Sequence, residues 1–74
     1  AGPSADGYCL LGTIRGADGD RKAADALYRK ALYLDPAHRE SLAHLALLLE
    51  SGGRGEQARV LRTRLRRLED GGGA

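Results

Sequence analysis

Six positions of the chain recur in kind 34 residues further on. Tyr8, Leu11, Gly12, Gly19, Ala24 and Ala31 fall on Leu42, Leu45, Ala46, Gly53, Ala58 and Leu65. Large apolar side chains meet large apolar ones, small meet small except that Leu65 answers Ala31, and turn glycine meets turn glycine. Such a period marks stacked supersecondary units, each too small to bury its own apolar face. The chain must therefore fold as two similar units packed side by side.

Each unit reads as a pair of helices. The best-marked helix lies in GDRKAADALYRKALYLDP, residues 19–36. Ala24, Leu27, Tyr28, Ala31 and Leu34 are spaced by three and four, which gathers them on one helical face. Asp20 caps the first turn, and Pro36 pushes Asp35 out of helical angles, so the helix stops near Leu34. Asp25 and Arg29 pair along its exposed side. A first helix is predicted from about Ser4, its cap, to Ala17, with Tyr8, Leu11 and Gly12 on one side. Gly12 costs helix propensity, and its use is the close approach of a neighbouring helix. A third helix is predicted from about His38 to Glu50, with Leu42, Leu45, Ala46, Leu48 and Leu49 as its apolar residues. A fourth runs from about Gly55 to Glu69, with a stripe of Ala58, Leu61, Leu65 and Leu68.

Composition bounds what these helices can do. The chain has 74 residues and is 42% hydrophobic, enough for one small domain that buries only ~60% of its unfolded surface. Phe and Trp are absent, so Leu and Ala must build the core. Cys9 stands alone, which excludes an internal disulfide; with no signal peptide in view, a cytoplasmic home is expected. No apolar run approaches the ~20 residues of a membrane span. The ends AGPSADG and DGGGA are polar and glycine-rich, as linker ends are, which fits a piece of a longer protein.

The residues Tyr8-x-x-Leu11-Gly12, Gly19, Ala24, Tyr28, Ala31 and Pro36, with the period of 34, resemble the tetratricopeptide repeat. The first repeat departs from the family pattern at Arg15, where the family prefers an aromatic or large apolar residue. The second has Arg62 in place of Tyr28 and Asp70 in place of Pro36, which suits a terminal repeat whose outer face meets water. The resemblance implies an all-α fold of two tandem helix-turn-helix repeats, four antiparallel helices in a short right-handed solenoid. Residues 1–4 are a linker, 5–38 the first repeat, 39–70 the second and 71–74 a flexible tail. A narrower stretch, YRKALYLDPAHRESLAHLALLLE at residues 28–50, is similar to the repeat module appended to some bacterial chemotaxis-type methyltransferases. Those enzymes methylate chemoreceptor glutamates with S-adenosylmethionine. No methyltransferase motif lies in this chain, so it implies a parent whose catalytic domain lies elsewhere.

In that family the first helix of each pair lines a concave groove. The implied lining is Asp6, Cys9, Thr13 and Gly16 from the first helix, and Glu40, Ala43, Leu47 and Glu50 from the third, with His44 at the edge. Some members use groove Lys and Asn to clamp a peptide carboxylate. The matching positions here are Cys9, Thr13, Ala43 and Leu47, so no clamp is present, and Glu40 and Glu50 repel a carboxylate. The expected function is protein–protein interaction, with a helix or mixed apolar–basic segment in the groove. Self-association through an end face is the first alternative, a homodimer its simplest form. Binding of nucleic acid or an acidic partner through the last helix is the second.

That second alternative rests on Arg59, Arg62 and Arg66, which share a side opposite the leucine stripe. The plainer reading is a solvated face, because no aromatic residues interleave to stack bases. Cys9 and His44 lie near each other in the family geometry, but no third group in the sequence orients the histidine, so no catalytic role is expected. His38 and His44 are six apart, on different helix faces, and with one cysteine no zinc or other metal site is expected. The glycines at 52, 53 and 55 lack the Lys–Ser/Thr pair of a phosphate loop. No cofactor is expected.

Overall fold

The structure, a computed structural model, describes residues 4–72. Four helices follow one another: α1 (Ala5–Ala17), α2 (Arg21–Leu34), α3 (Arg39–Ser51) and α4 (Gly55–Gly72). No strand occurs among the described residues. The broadest contacts join α1 to α2 and α3 to α4, so each unit is a helical hairpin; α2 packs on α3 to join the units, and α1 touches α3 more narrowly. The architecture is that of two tandem helix-turn-helix repeats in a short helical solenoid.

The spacing of 34 holds at the level of single hydrogen bonds. In the first turn the amides of Asp18, Gly19 and Asp20 donate to the carbonyls of Ile14, Gly16 and Arg15. In the second, Gly52, Gly53 and Arg54 donate to Leu48, Glu50 and Leu49. Gly19 and Gly53 have φ of 86° and 80°, a left-handed conformation in which a side chain is strained, so only glycine closes both turns without cost. The caps repeat as well. Ser4 Oγ accepts from the amide of Gly7, and His38 Nδ1 accepts from that of Ser41. The histidine thus takes the place of the serine 34 positions earlier.

The other helix ends fall where the sequence places them. Asp20 accepts from the Ala23 amide, and Asp35 leaves the helix with extended angles before Pro36. Arg29 bonds Asp25 one turn back. One boundary differs: α4 continues to Gly72, past Glu69 and into the expected tail. Gly71 does not take the left-handed conformation that stops a helix. The rest of the tail and the first three linker residues lie outside the described residues.

Cys9, Ala24, Tyr28, Ala31, Leu45, Ala46, Leu49 and Ala58 form the core, with Tyr8, Leu32, Leu48 and Leu61 packed against it. Arg21 ties the hairpins together by donating to the Leu48 carbonyl and Ser51 Oγ. Leu11 departs from expectation. It occupies the register of Leu45, yet Leu11 is 47% exposed where Leu45 is 1% exposed. The first hairpin covers Leu45, and nothing among the described residues does the same for Leu11. Leu10 and Ile14 are open beside it.

Candidate binding groove

Helices α1 and α3 lie side by side, and their facing residues build a shallow floor with charged ends. Thr13 Oγ1 donates to the Cys9 carbonyl one turn back and meets the Tyr28 hydroxyl at 3.2 Å. With the threonine proton committed to Cys9, Tyr28 is the donor to Thr13. The Tyr28 ring stacks on His44, with centroids 5.7 Å apart and planes 10° from parallel. A chain of polar and stacked groups therefore crosses from α1 through α2 to α3. Every buried side-chain polar atom of the described residues has a partner, which keeps this floor stable despite its polarity.

At one end His38 bridges the repeats. Its Nδ1 accepts from the Ser41 amide, so the ring carries its proton on Nε2, which donates to Asp6 Oδ1 at 2.6 Å. At the other end Arg62 reaches from α4 and donates from Nε and Nη2 to the two oxygens of Glu50, at 2.8 and 2.7 Å. That fork-to-fork geometry is the strong form of an ion pair.

The residues expected to line a groove divide accordingly. Asp6 and Glu40 are exposed along it, Ala43 and His44 are half-buried, and Leu47 is 56% exposed. Cys9 is buried beneath them. Gly16 stands elsewhere: a Cβ built on it meets Ala24 of α2. Gly12 and Gly16 are four apart and share the α1 face that packs on α2, so Gly16 does not line the groove. Glu50 does not present a bare negative charge, and Arg62 does not stand free in a basic face; the two neutralise each other. The Arg59–Arg62–Arg66 stripe is correspondingly weaker. Tyr28 and His38 are site residues that the groove pattern missed. His38 was legible from its position 34 after the Ser4 cap, whereas Tyr28 required its stacking with His44.

The ion pair has a measurable signature. Hydrogen bonding from Arg62, opposed in part by desolvation and aided by the Arg62 charge, lowers the Glu50 carboxyl below its ordinary value of 4.5, and Glu50 in turn raises Arg62. Because the folded value lies below the unfolded one, the contribution of Glu50 to stability is present above pH 4.5. It fades as the pH falls through the depressed folded value. An NMR titration of the Glu50 side chain should show this depression, and Arg62→Gln should return the midpoint to the ordinary range. An unchanged midpoint in Arg62→Gln would show that the pair does not persist in solution.

Comparison with known proteins fits this geometry. Residues 5–38 match the family model described as tetratricopeptide repeat. The chain is similar to the probable biofilm formation methyltransferase WspC of Pseudomonas aeruginosa, 47% identical over 66 residues, which covers 89% of this chain and 16% of that protein. It is likewise similar to the protein of that name from Pseudomonas putida, 48% identical over 65 residues, covering 88% of this chain and 15% of that protein. The chain thus spans under a fifth of the length of these curated relatives. No solved structure matches it. Residues 5–38 are thus matched directly as a tetratricopeptide repeat, and the second hairpin folds in the same register 34 residues on.

Proposed function

We propose that this chain is the docking module of a larger bacterial signalling protein, a methyltransferase of the chemoreceptor-modifying type working in the cytoplasm. Its groove between α1 and α3 takes a protein segment that combines apolar and basic side chains. The observation that carries this reading is Leu47, a large apolar side chain 56% exposed on the α3 groove face, with Glu40 exposed two turns before it. Similarity to two WspC methyltransferases over nearly the whole chain supports the parent. The repeat fold supplies the surface and no catalytic pocket. Affinity comes from burial at Leu47, and specificity from Asp6 and Glu40, since Glu50 is already matched by Arg62.

The test is fluorescence anisotropy with amphipathic helical peptides that differ only in carrying Lys or Glu on the polar face. The Lys peptide is expected to bind, and Leu47→Asp is expected to weaken it roughly tenfold or more while helicity by circular dichroism stays unchanged. Equal binding of both peptides, or indifference to Leu47→Asp, would overturn the groove assignment.

A second reading, self-association, is favoured by the open side of α1, where Leu10, Leu11 and Ile14 are all exposed. Its mark is a solution mass that rises with concentration.

A further inference from the structure

Three residues with different donor atoms meet at the α1–α3 seam. Cys9 Sγ, a Glu40 carboxylate oxygen and a His44 ring nitrogen all lie within 4.8 Å of one another. Glu40 and His44 are four apart, so α3 places them one above the other on one face. Cys9 approaches from α1, opposite them. The sequence contains one cysteine and no ligand-spacing motif, and only the packing of the two repeats completes the set.

We propose that Cys9, Glu40 and His44 form a binding site for a thiophilic divalent cation, with Zn²⁺ the best match. The donor set is one sulfur, one nitrogen and one oxygen, all of which zinc accepts, and three protein ligands leave the fourth tetrahedral position open. Around zinc such donors stand roughly 3.3–3.5 Å apart, from bond lengths of ~2.0–2.3 Å. The three donors lie within 4.8 Å of one another, and Glu40 can close to the zinc spacing because it is exposed and long. The other two donors are already fixed. Cys9 is 3% exposed in the core, and Tyr28 holds the plane of the His44 ring by stacking on it. Such orientation of a ligating imidazole is what the surroundings of metal sites provide. The exposed Glu40 marks the side from which the ion enters and toward which the fourth position opens.

Binding removes one proton from the Cys9 thiol, which passes to solvent, while His44 binds as the neutral ring. The metal then ties α1 to α3, the slimmest of the packed helix pairs. It stabilises the folded chain because the unfolded chain does not hold the three donors together. The site lies at the groove floor but does not depend on a docking partner, so its test is independent of the proposed function.

The experiment uses the 74-residue chain titrated with Co²⁺ as a spectroscopic substitute and with Zn²⁺ by calorimetry. The expected result is one ion per chain, a thiolate-to-cobalt charge-transfer band in the near ultraviolet, and slower reaction of Cys9 with a thiol reagent once Zn²⁺ is added. Zinc in hundredfold excess over its dissociation constant should raise the melting temperature by more than about 5 °C. Glu40→Gln alters an exposed side chain and leaves the fold intact; it should weaken binding roughly tenfold or more. Cys9→Ser should abolish the charge-transfer band. His38→Asn, which removes the other histidine, should leave binding unchanged. Absence of the band at excess Co²⁺, or Zn²⁺ binding that survives Glu40→Gln but is lost in His38→Asn, would overturn the site.

Discussion

Leu45→Ala is expected to cost about 3 kcal/mol of folding free energy, whereas Leu11→Ala, at the same position of the other repeat, is expected to cost about 1 kcal/mol or less. The side chains are identical, and the neighbours decide. Leu45 is 1% exposed within the core that also holds Tyr28, Ala31 and Leu49. Its truncation removes a fully buried side chain and leaves a cavity between closely packed helices. Leu11 is 47% exposed, so half of its burial is already forgone and no closed cavity forms. A domain of this length holds on the order of 5–10 kcal/mol of stability. Loss of about 3 kcal/mol should lower the melting temperature by roughly 15 °C, readable by circular dichroism. Equal shifts in the two variants would contradict the open side of α1 and show that a second molecule covers Leu11 in solution.

This contrast also shows where the sequence stopped being informative. Spacing placed Leu11 and Leu45 on equivalent helix faces, and both lie there. Whether an equivalent face is buried depends on what stands beside it, which periodicity does not encode. Local signals fared better because their causes are local. Asp20, Pro36, Gly19 and Gly53 act through the backbone within a turn of themselves, and each sits where its chemistry demands. The end of α4 was less legible, since a run of glycine permits a stop without imposing one.

The site was legible in part, for the same reason. The repeat pattern named Cys9, Glu40 and His44 as separate lining residues, but their meeting depends on how α1 packs on α3. It also separated Glu50 from Arg62, assigning one to the groove and the other to a basic face. They lie 12 residues apart across the second turn, and the α3–α4 hairpin brings them together. That pairing changes the electrostatics of the module. It removes a negative charge from the groove and a positive one from the arginine stripe, leaving Asp6, and Glu40 in the metal-free chain, to set the charge that an incoming segment meets.

Gly12→Val is expected to cost about 3 kcal/mol, at the upper end of what overpacking a helix contact costs. A Cβ on Gly12 falls 2.8 Å from Tyr28 Cε1 and 2.9 Å from Cδ1, well inside van der Waals contact. The ring has little room to yield, being 5% exposed, bonded to Thr13 and stacked on His44. Gly12→Ala meets the same wall, and its gain in helix propensity, ~1 kcal/mol, offsets only part of the strain. The second repeat supplies an internal control. Ala46 occupies the position of Gly12 and is 0% exposed, yet its methyl is accommodated. The residue in the place of Tyr28 is Arg62, whose guanidinium turns outward to Glu50. The methyl and the ring therefore exclude each other, and each repeat carries one of them. Two consequences follow for measurement. Gly12→Ala should be less damaging in a Tyr28→Leu background than alone, with a coupling of roughly 1–2 kcal/mol in a double-mutant cycle. Displacing the ring should also shift the NMR signals of the His44 imidazole, because the stacked tyrosine sets its magnetic environment. Should Gly12→Ala instead raise the melting temperature, the propensity gain would have acted unopposed, and Tyr28 would not lie against α1 as the structure has it.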